Sequence, residues 1–286
     1  MTAAAPEYIL TLSCPDTTGI VYHVTGFLFE RGCNIIDSAQ FGDASTGLFF
    51  LRVHFSAPES FDLARLQQEF AQIAERFRMD AHISDLRVRP RVMLMVSKFG
   101  HCLNDLLFRR SSGQLDIEIP AIVSNHTEFQ PLAHGYRIPY FYLPVTPATK
   151  ADQEAKVLEL IERERIDLVV LARYMQILSP GLCEALKGRA INIHHSFLPS
   201  FKGAKPYAQA HHRGVKLIGA TAHYVTPDLD EGPIIEQDVE RVDHAMTPDT
   251  LAAIGHDVES VVLARAVKWH VERRVLINGH RTVVFR

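Results

Sequence analysis

Apolar and polar positions alternate from Glu7 to Cys14 (EYILTLSC), the period of a half-buried strand, and the PDTTG that follows marks a turn. From Thr18 to Arg31 the spacing becomes helical, with Ile20, Val21, Val24, Phe27 and Leu28 on one stripe and Gly32 where a left-handed cap ends a helix. Residues 33–41 and 47–55 read as two strands joined by a turn containing Gly42, Asp43 and Gly47. Phe61, Leu63, Leu66, Phe70, Ile73, Ala74 and Phe77 predict a second helix, and 81–89 a closing strand. The order βαββαβ predicts a ferredoxin-like sandwich of about eighty residues.

A Pro-containing basic joint, RVRPRV (87–92), separates this unit from the rest, which sets expected domains at 1–88 and 89–286. RVMLMVSK (91–98) is nearly all apolar, as a strand buried on both faces of a parallel sheet should be. Further strands are predicted over 116–125, 138–144, 167–174 and 191–195, with helices from near Leu103, over 148–163 and over 248–273. Alternating strands and helices predict a doubly wound, Rossmann-like α/β sheet with its site at the carboxyl ends of strands. Another strand is expected over Gly219–Val225, and a terminal hairpin turning on Asn278-Gly279.

Composition narrows the function classes. The chain has 286 residues, 47% of them hydrophobic, enough for two packed cores. Its net charge of −3, from 30 basic and 33 acidic residues, gives no basic patch for nucleic acid. No apolar run is long enough to cross a membrane, and MTAAAPEYIL does not read as a signal peptide, so a cytoplasmic protein is expected. Cys14, Cys33, Cys102 and Cys183 lie far apart without a CxxC, and the fifteen histidines are not spaced with acids as a zinc site requires. No metal is expected.

The chemistry concentrates in INIHHSFLPSF (191–201) and TAHYVTPDLDEGPII (221–235). Side chains two apart in a strand share a face about 6–7 Å apart, which points Asn192 and His194 one way and Ile191, Ile193 and His195 the other. Asp230, in the PDLDEGP loop, supplies an acid. An Asn, a His and an Asp suffice to stabilise an oxyanion and manage a proton at a carbonyl carbon without a Ser or Cys nucleophile. A carboxylate beside His194 favours its imidazolium and can itself act as general base. Asp228 is the second choice for that acid, more naturally a turn residue after Pro227. His195 is expected to make structural hydrogen bonds; His223 either faces the site as a support for Asp230 or packs away from it. His211 and His212 are expected to be solvated, as are Lys98 and Lys205 unless they meet carboxylates of a ligand.

The stretch CPDTTGIVYHVTGFLFERGCNI resembles the first loop and helix of an ACT domain. That resemblance implies an amino-acid effector held near Asp16, Thr17, Thr18, Gly19, Asn34 and Ile35, and a symmetric homo-oligomer, dimer or tetramer, built on paired modules. For Asp16 a plain turn or cap role stays open. LARYMQILSP (171–180), NIHHSFLPSF and GATAHYVTPDLDEGPII together resemble the formyltetrahydrofolate-dependent formyltransferase fold over about residues 91–240. The resemblance implies that Asn192, His194 and Asp230 act on a formyl carbon. It also implies that Leu171, Ala172, Arg173, Tyr174, Met175, Gln176, Ile177 and Leu178 form a folate-binding loop. Transferases to glycinamide ribonucleotide carry a Gly- and Ser-rich phosphate loop where this chain has SKFGHCLNDLL, with bulky Phe99, His101 and Cys102. That loop, the ACT-like module, KGAKPYAQA (202–210) and RGVKLIGATAHYV (213–225) resemble the formyltetrahydrofolate deformylase family. One departure is IPYFYLPVTP, where that pattern carries a His near Phe141. The implied reaction is hydrolysis of 10-formyltetrahydrofolate to formate and tetrahydrofolate, with no cofactor required, feeding formate to purine biosynthesis and balancing one-carbon folate pools. The alternatives are formyl transfer to an amine such as glycinamide ribonucleotide, and a folate or amino-acid sensor without catalysis.

Overall fold

A computed structural model describes residues 5–59, 61–196 and 206–286. The chain divides into two compact units: the first runs to Arg89 and takes back Glu272–Asn278 and Val283–Arg286, and the second comprises Pro90–Val271 with Gly279–Thr282.

In the first unit, β1 (Glu7–Pro15), α1 (Ile20–Phe29), β2 (Asn34–Asp43), β3 (Leu48–Ser56), α2 (Leu63–Phe77) and β4 (Asp80–Asp85) follow in the expected βαββαβ order. The sheet is antiparallel, ordered β2-β3-β1-β4. Period-2 alternation puts Tyr8, Leu10, Leu12 and Cys14 on one face of β1, where they pack with Val24, Leu28, Leu66 and Phe70 of the two helices. Gly19 enters α1 at φ 96° and Gly32 leaves it at φ 68°, left-handed conformations that glycine adopts without steric cost. Helix α2 is capped by Asp62, whose carboxylate accepts the N–H groups of Ala64 and Arg65. Strand β4 ends four residues before the expected 89, because the Asp85 carboxylate takes the N–H and guanidinium of Arg87 and turns the chain. Arg52, 3% exposed, donates to the carbonyl of Glu272 at 3.2 Å and to Asp37 at 3.2 Å. Asn278 donates to Asp43 at 2.7 Å. The C-terminal segment thus completes the first unit.

The second unit is built on seven strands ordered β11-β10-β9-β8-β5-β6-β7. They are β5 (Arg91–Val96), β6 (Glu118–Ser124), β7 (Tyr140–Tyr142), β8 (Leu168–Leu171), β9 (Ala190–His194), β10 (Leu217–Tyr224) and β11 (Ile234–Arg241). The five from β5 to β9 are parallel; β10 and β11 are antiparallel additions at one side. Strand β5, first in sequence, lies in the middle, so the connections leave it in both directions as in a doubly wound sheet. Its Val92 to Val96 are fully buried, the continuous apolar run that helices on both faces demand. The helices are α3 (His101–Ser111), α4 (Gln130–Gly135), α5 (Lys150–Arg163), α6 (Pro180–Ala185), α7 (Pro206–Arg213) and the 24-residue α8 (Pro248–Val271). The one-turn helices α4 and α6, each with Pro in its first turn, were not foreseen from the apolar pattern. The chain ends in the hairpin β12 (Val275–Asn278) and β13 (Arg281–Val284), turning on Gly279-His280, one residue beyond the expected position. Among the described residues no helix is long and apolar enough to cross a membrane.

Candidate active site

Strands β9 and β10 pair so that Asn192 lies opposite His223. The Asn192 amide nitrogen is 3.3 Å from His223 Nε2, and His223 Nδ1 is 2.9 Å from the Tyr224 carbonyl. A carbonyl only accepts, so Nδ1 carries a proton, and Nε2 lies between the Asn192 amide and the Asp230 carboxylate. Asp230, in the loop after β10, sits with Oδ2 3.3 Å from His194 Nδ1 and Oδ1 3.7 Å from His223 Nε2. Its backbone is left-handed, φ 58°, a region that Asp tolerates better than most side chains. Burial disfavours the charged carboxylate, but hydrogen bonds and attraction from His194 and His223 outweigh it and hold Asp230 well below the ordinary carboxylate range. Asn192, His194, His223 and Asp230 line one cavity of about 260 Å³. Asp228, the second choice for the acid, is exposed and is not part of that lining.

The loop after β8 forms another wall, contributing Leu171, Arg173, Tyr174, Met175, Gln176, Ile177 and Leu178; Ala172 is buried beneath it. Strand β8 stops at Leu171, short of the expected 174, because Arg173 adopts φ 64° and the loop is pinned from below. Ala172 N–H donates to Met95 O at 2.8 Å and Met175 N–H to the Ser97 hydroxyl at 3.0 Å. Met175 and Ile177 are exposed apolar side chains on this wall, and Leu229 of the Asp230 loop adds another to the lining. Tyr174 is anchored by Gln153 at 3.1 Å, and burial pushes its hydroxyl up to about 12.

His195 does not turn away as strand alternation predicts. Strand β9 ends at His194, so alternation no longer governs the next residue, and the His195 ring stacks on His194 at 4.7 Å and lines the same cavity. Arg173 Nη1 holds it, 2.8 Å from His195 Nδ1.

Sequence reasoning missed what lies behind Arg173. Glu259 of α8 is 0% exposed, yet it gathers His101 Nε2 at 2.7 Å, the Tyr207 hydroxyl at 2.6 Å and Arg173 Nε at 3.3 Å. Burial opposes its charge, but His101, Arg173 and Tyr207 together bring Glu259 below its ordinary range. The ligand-capable atoms of His101, His256 and Glu259 lie within 4.8 Å of one another. The Tyr207 hydroxyl and His101 bond that carboxylate, and the Arg173 guanidinium forms an ion pair with it. No spacing rule links residues 158 apart, and only the close approach of α3, α8 and the β8 loop reveals them.

Asn34 and Ile35 line a shallow concavity with Tyr22, Thr25, Gly26 and Phe29, but Asp16, Thr18 and Gly19 do not. Asp16 and Thr17 are exposed, and Asp16 N–H bonds Gly47 O at 2.9 Å as a turn residue would. Phe141, at the position expected to differ, packs against the second unit's core with Arg163 5.6 Å above its ring. Lys98 is exposed; Lys205 and the 197–201 part of the first motif lie outside the described residues.

The family model for formyl transferases matches residues 90–267, and that for ACT domains residues 8–84. A formyltetrahydrofolate deformylase from Corynebacterium sp. (strain P-1) is 51% identical over 98% of both chains. The chain belongs to the formyltetrahydrofolate deformylase family. A crystal structure of a family member from Burkholderia mallei superposes with TM-score 0.95 at 55% identity, covering 98% of this chain and 100% of that one. A glycinamide ribonucleotide transformylase from Symbiobacterium toebii matches only 69% of this chain, at 28% identity and TM-score 0.65, and covers 95% of its own length. The deformylases therefore share both units with this chain, and the transformylase about two thirds of it.

Proposed function

We propose that the protein hydrolyses 10-formyltetrahydrofolate to formate and tetrahydrofolate in the cavity of Asn192, His194 and Asp230. The observation that carries this reading is the state of His194. Its Nδ1 faces Asp230, whereas Nε2 is buried without a partner among the described residues, in a cavity that Asn192 also lines. Water adds to the formyl carbon while His194 Nε2 takes its proton, and the carbonyl oxygen becomes an oxyanion. The Asn192 amide and the new imidazolium donate to that oxygen. Collapse breaks the carbon–N10 bond, His194 returns the proton to N10, and formic acid leaves and ionises to formate in solvent. The sequence suggests Asp230 as general base; with Oδ2 3.3 Å from His194 Nδ1, Asp230 is placed to orient His194 and stabilise its charged form. The wall from Leu171 to Leu178 offers apolar side chains and backbone groups for the pterin.

Transfer to an amine finds little support where an acceptor phosphate would sit. Gly100 has no room for a side chain against Phe129, and His101 is committed to the carboxylate of Glu259. Purified protein given 10-formyltetrahydrofolate alone is expected to release formate and tetrahydrofolate in equal amounts. Consumption only after glycinamide ribonucleotide is added would overturn the hydrolase reading.

We also propose that the ACT unit senses an amino acid and pairs with that of a second copy. Tyr22, Phe29, Ile36 and Phe41 are exposed on α1 and β2, more apolar surface than a solvated module needs. Sedimentation is expected to show a dimer or tetramer; a monomer at every concentration would refute the pairing.

A further inference from the structure

The ion network behind the cavity determines the state of one more group within it. Arg173 is 6% exposed and held in a left-handed backbone conformation. Its Nε forms an ion pair with the fully buried Glu259, and its Nη1 reaches His195 Nδ1 at 2.8 Å. A guanidinium has donors only, so His195 Nδ1 must accept. The proton of the neutral ring therefore sits on Nε2. That nitrogen is buried, has no partner among the described residues, and belongs to a ring that lines the cavity stacked 4.7 Å from His194. A buried N–H without an acceptor is costly, and sites tolerate one where a ligand supplies the missing oxygen.

We infer that Glu259 and Arg173 are positioning residues that fix His195 as a neutral Nε2–H donor to the formyl oxygen, alongside the Asn192 amide. The inference rests on the proposed hydrolysis and completes it. While His194 moves a proton its hydrogen-bonding role changes, so the oxyanion needs donors whose state does not change. His195 is suited to that. Burial, the facing Arg173 and the stacked His194 all disfavour a charge on it, and Glu259 and Asp230 oppose them more weakly; its pKa falls to about 4. Above that pH it remains a neutral donor.

The tautomer is read directly by side-chain nitrogen NMR of the full-length protein with labelled histidine, the His195 signals being assigned with His195→Gln. The expected spectrum has a proton on Nε2 and none on Nδ1, unchanged from pH 8 to 5. A proton on Nδ1, or titration of His195 near an ordinary histidine value, would overturn the inference. A kinetic arm separates donor from packing. The amide N–H of His195→Gln reaches about as far as Nε2 and should keep kcat within about tenfold of the parent. His195→Phe fills the space without a donor and should lose about 10²- to 10³-fold in kcat with KM little changed. Equal losses in both would reduce His195 to a packing residue. A parent enzyme that releases no formate would defeat the hydrolase reading, whereas a proton on Nδ1 in an enzyme that does release formate would defeat this inference alone.

Discussion

Replacing His194 with Ala is expected to lower kcat for formate release by about 10³- to 10⁴-fold and to leave folate binding within a few-fold of the parent. Two roles converge on this ring in the proposed reaction: it takes the proton of water, and as the imidazolium it donates to the oxyanion. Neither role helps to bind the ground state, whose pterin rests on the wall from Leu171 to Leu178. The variant should therefore separate turnover from affinity, read by single-turnover kinetics and by equilibrium binding of a non-hydrolysable folate. A parallel loss of both would show that His194 holds substrate and does not transform it. Full activity would remove it from the chemistry.

The second large effect is expected at a residue with no functional group. Gly232 packs so closely on the Tyr224 carbonyl that a Cβ would collide with it, and the same Cβ would lie 3.2 Å from His223 Nδ1. The obstacle is backbone, so no rotamer change relieves it. In Gly232→Ala the loop must shift, and with it the hydrogen bond from Tyr224 N–H to Pro233 O and the seat of Asp230 two residues away. We expect a stability loss of about 1–3 kcal/mol by thermal or denaturant unfolding, as for overpacked cores. Because Asp230 moves from His194, kcat should also fall by about 10²-fold. Asp230→Asn combined with Gly232→Ala should lose little more activity than Asp230→Asn alone, since both act through one contact. Independent, multiplying losses would mean that Gly232 acts elsewhere.

Sequence pattern disclosed the parts of this molecule governed by short-range periodicity. Alternation in INIHH placed Asn192 and His194 together, and the turn chemistry of PDLDEGP placed an acid in a loop. The nearly all-apolar β5 announces a sheet covered on both faces. The pattern failed at strand ends. His195 falls on the opposite face only if alternation continues one residue past the end of β9. The strand ending at Leu171 reads too long from sequence because nothing in ARY reveals a left-handed Arg. Whether His223 faced the site could not be read from ATAHYV alone, and its place opposite Asn192 follows from an antiparallel register between β9 and β10. Glu259 was invisible for a further reason. In the sequence it is one acid on a long helix, and its meaning comes from partners on α3, α7 and the β8 loop.

The return of the C-terminal segment to the first unit bears on the order in which the protein is made. The residues up to Arg89 leave the ribosome first, but the carbonyl of Glu272 that receives the buried Arg52 is synthesised roughly 180 residues later. At elongation rates of about 5–20 residues per second, the nascent module waits roughly ten to forty seconds for that partner. Until then the Arg52 guanidinium must stay hydrated or rely on Asp37 alone. The module that begins the chain is thus the last to be finished, and a fragment cut at Arg89 would carry that unfinished state permanently.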